Sequence, residues 1–105
     1  MFKLDLRTDL AKVTDARLGN YGSCRYTAPC AIGAMLTPAQ RCRFANKSDD
    51  DTQFGVLLDN GVFKVPEDQI DDFKELQRRF DRARGPEAIA SFNEFLGKLK
   101  EKYAV

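Results

Sequence analysis

Two amphipathic helices with a short break between them dominate the C-terminal half of the chain, and they constrain its fold most. Behind Pro66, apolar side chains recur every three or four residues, which predicts a helix with one apolar stripe. Gly85 and Pro86 end this pattern, and a second stripe of the same period follows. A break this short favours two antiparallel helices that pack their apolar faces together. The stripes consist of Ile70, Phe73, Leu76, Phe80 and Ala83, and of Ile89, Phe92, Phe95, Leu96, Leu99 and Tyr103.

The N-terminal third predicts shorter elements. Apolar and charged residues alternate over residues 2–7, which is strand spacing over a short stretch. Thr8 is expected to cap a following helix, and Gly19 to end that helix in the left-handed conformation. A single irregular helix would also fit these residues.

Residues 30–36 have helical spacing directly behind Pro29, a residue that suits the first turn of a helix. Gly33 inside this helix costs ~1 kcal/mol against alanine, so we expect a neighbouring backbone to approach closely there. Thr37 and Gln40 flank Pro38 with the spacing of a capping box, which predicts the start of the next helix.

Residues 52–65 allow two interpretations. Asn60 and Gly61 between two apolar runs are typical of a hairpin turn. Alternatively, Thr52 caps a short helix, Gly61 ends it, and residues 63–65 run extended. The cap and the stop slightly favour the helix. Together these patterns predict a mainly α fold (α+β with a minor β element of two or three strands) with about five short helices.

Length and composition indicate a single domain, residues 1–105. The chain has 105 residues and 43% hydrophobic content, which suffices for a core without metal or disulfides. No apolar run approaches the ~18 residues of a membrane span, and the first residues lack the apolar stretch of a signal peptide. We therefore expect a cytoplasmic protein without a membrane partner, whose three cysteines are reduced thiols.

The chain contains no histidine, which removes several chemistries. Neither a Ser-His-Asp nor a Cys-His nucleophile can form, and zinc sites that use histidine are excluded. Cys24, Cys30, Cys42 and the acidic run Asp49 to Asp51 are spaced poorly for zinc, because structural sites use close cysteine pairs. The sequence therefore predicts no metal, no cofactor and no catalytic residue.

Cys30 is the candidate for a reactive thiol. If Pro29 begins a helix, this thiol lies in the first turn, where free N–H groups and the helix dipole lower a cysteine pKa. Arg25 would add positive charge nearby. The alternative is that Cys30 and Cys42 are small buried apolar side chains.

Charge is distributed in blocks, although the net charge is only +1. Basic side chains predominate in residues 1–48 and 76–105, and acidic ones in residues 49–75. Such asymmetry can mark a surface that meets a partner, whereas the alternative is a set of solvated helix faces. The candidate acidic face for a protein partner comprises Asp49, Asp50, Asp51, Asp68, Asp71 and Asp72, and the candidate nucleic-acid contacts are Arg41, Arg43, Arg78 and Arg82.

Three segments resemble a group of small proteins encoded by bacteria and their phages. Residues 22–26 read Gly-Ser-Cys-Arg-Tyr, residues 30–33 read Cys-Ala-Ile-Gly, and residues 76–81 read Leu-Gln-Arg-Arg-Phe-Asp. The resemblance covers about residues 20–84 and implies a mostly helical fold and a prokaryotic or viral setting. It implies no activity, and Phe80 stands where the group has histidine, which argues against a catalytic role there.

Three function classes follow from these observations. The first is a non-enzymatic interaction module, such as a phage or mobile-element accessory protein that binds and modulates a host protein. The second is a nucleic-acid-binding protein that uses the arginine-bearing helices, against which stand the near-neutral charge and the acidic block. The third is a thiol-dependent enzyme or redox sensor at Cys30.

Overall fold

Helices form most of the chain, as a computed structural model shows for residues 2–15, 17–19, 21–22, 25–44, 50 and 52–105. The predicted mainly α fold with a minor β element is confirmed. Two short strands form the sheet, and single 3-10 turns connect several of the helices. The elements are β1 (Phe2–Lys3), α1 (Leu6–Asp9), α2 (Pro38–Cys42), α3 (Phe54–Asp59), β2 (Phe63–Lys64), α4 (Ile70–Asp81) and α5 (Pro86–Lys102), with 3-10 turns at Leu10–Lys12, Gly33–Met35 and Glu67–Gln69.

Helices α4 and α5 form the antiparallel pair that the sequence predicts. Asp72 near the start of α4 pairs with Lys102 at the end of α5, with 2.8 Å between Oδ2 and Nζ. Phe80 near the end of α4 meets Phe92 in the first half of α5, with ring centroids 5.4 Å apart. The start of α4 thus contacts the end of α5 and the end of α4 contacts its first half, so the two helices are antiparallel.

The capping box of α2 forms as predicted. The Thr37 hydroxyl accepts the Gln40 N–H at 3.2 Å, and the Gln40 side chain accepts the Thr37 N–H at 2.8 Å. Pro38 occupies the first helical position, where its missing N–H is no loss.

The helix interpretation of residues 52–61 is confirmed, and the hairpin does not form. Gln53, rather than Thr52, is the N-cap of α3, and its side chain makes no capping hydrogen bond. Gly61 ends the helix with φ +76, and its N–H bonds to the Leu58 carbonyl at 3.2 Å. The chain then enters β2, which pairs with β1 in parallel.

The N-terminal helix begins earlier than predicted. Asp5 is the N-cap of α1 and accepts the Arg7 N–H at 2.9 Å, so Thr8 lies inside the helix and the predicted Thr8 cap is wrong. Gly19 is also not a left-handed stop, because its φ is not positive. Its role is steric, since a Cβ there would lie 1.8 Å from the Ala28 carbonyl oxygen.

The helix predicted over residues 30–36 shrinks to the 3-10 turn Gly33–Met35. The Ala34 N–H still bonds to the Cys30 carbonyl at 2.8 Å, and the Ile32 N–H donates to Oε1 of Gln77 at 3.1 Å. The predicted close approach at Gly33 is confirmed, since a Cβ on this residue would lie 2.2 Å from the Tyr26 carbonyl oxygen.

Aromatic rings fill the core around the sheet. Tyr26 packs against Phe44 and Phe63 in tilted arrangements, at centroid distances of 4.9 and 5.5 Å. Phe54 of α3 lies 5.2 Å from Phe63 and so connects the sheet to the helices. These contacts fix the segment 52–55 against the rest of the molecule, and that segment forms one wall of the site described next.

Candidate functional site

A groove of about 610 Å³ runs between α4 and the segment 52–55. Its volume falls within the range of binding sites for small ligands and peptide side chains. Residues of α4 and of the segment 52–55 line the groove, together with one buried tyrosine. The lining consists of Tyr26, Thr52, Gln53, Phe54, Gly55, Lys74, Gln77, Arg78, Asp81 and Arg82.

Three exposed basic side chains, Lys74, Arg78 and Arg82, follow one side of α4 at intervals of four residues. Four residues rise ~6 Å along a helix, so this row spans ~12 Å. Arg78 forms an ion pair with Glu75, and this hydrogen bond raises the pKa of the arginine. Lys74 and Arg82 form no side-chain hydrogen bond or ion pair with another residue that the structure describes. The groove therefore offers two cations, Lys74 and Arg82, that have no ion pair among the described residues.

The floor of the groove is rigid. Tyr26 and Phe54 are only 1% and 2% exposed, and the Tyr26 hydroxyl donates to the Thr52 carbonyl at 2.7 Å. Gln77 connects α4 to the segment 30–36, since its Oε1 accepts the Ile32 N–H, and its Nε2 donates to Asp81 of the same helix at 2.7 Å. The rings of Tyr26 and Phe54 are therefore almost fully covered by their own neighbours.

Of the six acidic residues predicted as a partner face, the structure describes four. Asp50 binds within the chain, accepting the Thr27 N–H at 3.0 Å and the Thr27 hydroxyl at 2.7 Å. Asp68 and Asp71 are exposed near the start of α4. Asp49 and Asp51 lie outside the described residues.

Asp72 accepts hydrogen bonds from two side chains at the C-terminal end of α5, Lys102 and Tyr103. Burial by itself raises the pKa of Asp72, but hydrogen bonds from Lys102 and Tyr103 outweigh this effect and lower it. The pKa of Tyr103 is raised to about 12, first by burial and then by the hydrogen bond to Asp72. This carboxylate therefore acts as a link between α4 and α5.

The four arginines predicted to contact nucleic acid divide into two groups. Arg78 and Arg82 line the groove, whereas Arg41 and Arg43 do not. Arg41 donates to the Leu36 carbonyl at 2.8 Å and so closes the preceding 3-10 turn. Arg43 lies over the ring of Phe2, 5.7 Å from its centroid.

Cys30 has none of the properties of a reactive thiol. Its side chain is fully buried, and burial raises the pKa of the thiol to about 12. The predicted lowering is wrong because burial outweighs the backbone N–H groups of Gly33 and Ile32, which by themselves lower the pKa of this thiol. Cys42 is exposed on α2, and Cys24 lies outside the described residues.

Lys74, Gln53 and Gln77 are the site residues that the sequence analysis missed. Lys74 carries a usable signal, because it extends the spacing of Arg78 and Arg82 by one turn. Nothing in the sequence indicates that the segment with Gln53 lies beside α4.

Neither a metal-binding cluster nor a membrane-spanning helix occurs among the described residues. No group of three or more Cys, Asp or Glu side chains in this part of the chain could hold a metal ion. None of the described helices combines the length and the apolar character that a membrane crossing requires.

No protein-family model, curated protein or solved structure matches the chain. The groove is therefore the candidate functional site of the described residues.

Proposed function

We propose that the protein is a cytosolic, non-enzymatic binding module that holds a protein partner in the groove beside α4. The observation that carries this proposal is the row of basic side chains on the rim, of which Lys74 and Arg82 have no ion pair among the described residues. An accessory protein of a phage or mobile element that modulates a host protein belongs to this class.

The groove favours a protein over a nucleic acid. Proteins that bind single strands stack bases on exposed aromatic rings, but Tyr26 and Phe54 are almost fully buried. Binding of a duplex depends on many phosphate contacts, whereas the net charge of this chain is only +1. Arg41 and Arg43, which would extend the basic surface, are engaged elsewhere.

The chemistry of the described residues also supports binding rather than catalysis. The chain has no histidine, and the buried Cys30 is held in its neutral form by the raised pKa of its thiol. The Gln77 amide in the groove donates and accepts hydrogen bonds but does not titrate.

Site-specific photo-crosslinking in living cells of the organism that encodes the protein tests the proposal. A photoreactive residue at the exposed Gln53 is expected to capture a discrete protein, and Arg82→Glu should abolish that product. The matched control carries the same residue at Ala90, an exposed position of α5 outside the groove. Equal capture at both positions, or capture of nucleic acid alone at Gln53, would refute the proposed function.

A further inference from the structure

We infer that the groove recognises an extended acidic segment whose carboxylates stand at alternate positions. This inference rests on the proposed function and names the chemistry of the partner. Three observations carry it: the charge of the rim, the spacing of its cations, and the covered floor of the groove.

The charge of the lining calls for an anionic occupant. Lys74, Arg78 and Arg82 contribute three positive charges, and Asp81 is the one acidic residue among the described lining residues. The Asp81 carboxylate already accepts a hydrogen bond from Gln77. Carboxylates on a partner would form charge-assisted hydrogen bonds with the rim and would guide association by complementary charge.

Arg78 can join this contact without leaving an acidic group unpaired. Its present partner, Glu75, is also bound by Arg79, with 2.8 Å between Nε and Oε1. If Arg78 turned towards a ligand, Glu75 would keep this second ion pair. Arg79 itself is held in place by the ring of Phe95, 4.6 Å from the centroid.

The spacing of the cations selects an extended partner. Lys74, Arg78 and Arg82 are separated by ~6 Å steps along α4. In an extended chain, side chains on the same side recur every second residue, ~6.6 Å apart. Three acidic residues at alternate positions therefore meet the three cations in register, while the residues between them point away.

The floor argues against a partner that anchors itself by apolar side chains. Phe54 and Tyr26 are covered by their own neighbours, so neither ring is open to an apolar anchor. Affinity then depends on charge, which makes binding sensitive to salt. Polar residues between the carboxylates are expected to suit this groove.

The test uses the full chain, ¹⁵N-labelled, and the synthetic peptide Ser-Glu-Ser-Glu-Ser-Glu-Ser. Amide shifts on titration are expected in residues 52–55 and 74–82, with at least tenfold weaker binding for Lys74→Glu or Arg82→Glu. Lys98→Glu is the matched control, because Lys98 is an exposed lysine of α5 outside the groove. Its affinity should stay within twofold of the unaltered protein.

Three comparison ligands decide the details. A peptide with the same three glutamates in one block should bind at least threefold more weakly, and a glutamine analogue should not bind. Equal binding of the block peptide refutes the alternate spacing, and equal binding of the glutamine analogue refutes recognition by charge. Tighter binding of a single-stranded oligonucleotide refutes the acidic peptide as the occupant.

The two proposals fail separately. If photo-crosslinking at Gln53 captures a protein but the acidic peptides do not bind, the groove is a binding site and only its chemistry is misassigned. If neither the photo-crosslinking nor the peptide titration gives a signal, the proposed function and this inference are both refuted.

Discussion

Replacing Gly33 by alanine drives a methyl group into the backbone of Tyr26. The new Cβ would lie 2.2 Å from the carbonyl oxygen and 2.9 Å from the carbonyl carbon. Ordinary contact begins at about 3.4 Å, so the two segments must separate by ~1 Å, and packed interiors resist such shifts. The φ of Gly33 is not positive, so alanine suits the backbone conformation and the penalty is steric alone.

The size of the penalty follows from what holds Tyr26. This residue is 1% exposed, its ring packs on Phe44 and Phe63, and its hydroxyl bonds to the Thr52 carbonyl. Overpacking a tight core costs ~1–3 kcal/mol. At ~4–8 °C per kcal/mol for a domain of about this size, a loss of ~2 kcal/mol lowers the melting temperature by ~8–16 °C.

Gly97→Ala provides the matched control for Gly33→Ala. Gly97 is exposed in the middle of α5, and a Cβ there meets nothing within 4 Å. Alanine is the better helix former by up to ~1 kcal/mol, so this variant should be more stable than the parent. Urea unfolding followed by circular dichroism measures both effects. A Gly33→Ala variant as stable as the unaltered protein would refute the steric argument.

Three further outcomes test other parts of the fold. Gln69→Met removes the acceptor of the buried Leu6 N–H and should cost ~1–3 kcal/mol in urea unfolding; unchanged stability would contradict this. Asp72→Asn should destabilise the protein at pH 7. Because the folded-state pKa of Asp72 is lowered, its contribution is present above the unfolded value of ~3.9 and is lost as the pH falls through the folded value. A stability difference that grows on acidification, measured from pH 7 to ~2, would contradict the link to α5. Cys30 should resist iodoacetamide in the native protein and react after unfolding, since burial raises the pKa of its thiol to about 12; mass-spectrometric detection of native labelling at Cys30 would contradict its burial.

The elements that the sequence predicts correctly are those whose signals are local. The capping box of Thr37 and Gln40 satisfies its own backbone groups within one turn. Likewise, the break at Gly85 separates two apolar stripes that pack on each other. Neither prediction depends on where a distant segment lies.

The wrong predictions trace to contacts from far along the chain. Asp5 caps α1 in place of Thr8, and Gln69 supports that cap by donating to the Asp5 carboxylate at 2.9 Å. The segment behind Pro29 forms only a 3-10 turn, and its Ile32 N–H donates to the side chain of Gln77. Both glutamines are polar and buried, so a pattern of apolar residues gives no sign of them.

Half of the candidate site could be predicted from the sequence. Arg78 and Arg82 stand out by their spacing, and Lys74 lies one turn earlier at the same interval. The opposite wall could not be predicted, because it depends on Phe54 packing against Phe63 and Phe73 in the core. A groove between two elements requires the tertiary structure that brings them together.

The parallel pairing of β1 with β2 has a consequence for how the chain folds. Phe2 and Phe63 are paired in register, so forming this sheet closes a loop of about 60 residues at an entropic cost of ~3.6 kcal/mol plus a constant. Helices α4 and α5 meet after a loop of only residues 82–85 and face a much smaller barrier of this kind. The helical pair can therefore form early, and the sheet closes the molecule late. Substitutions in β1 should accordingly accelerate unfolding more than they slow folding.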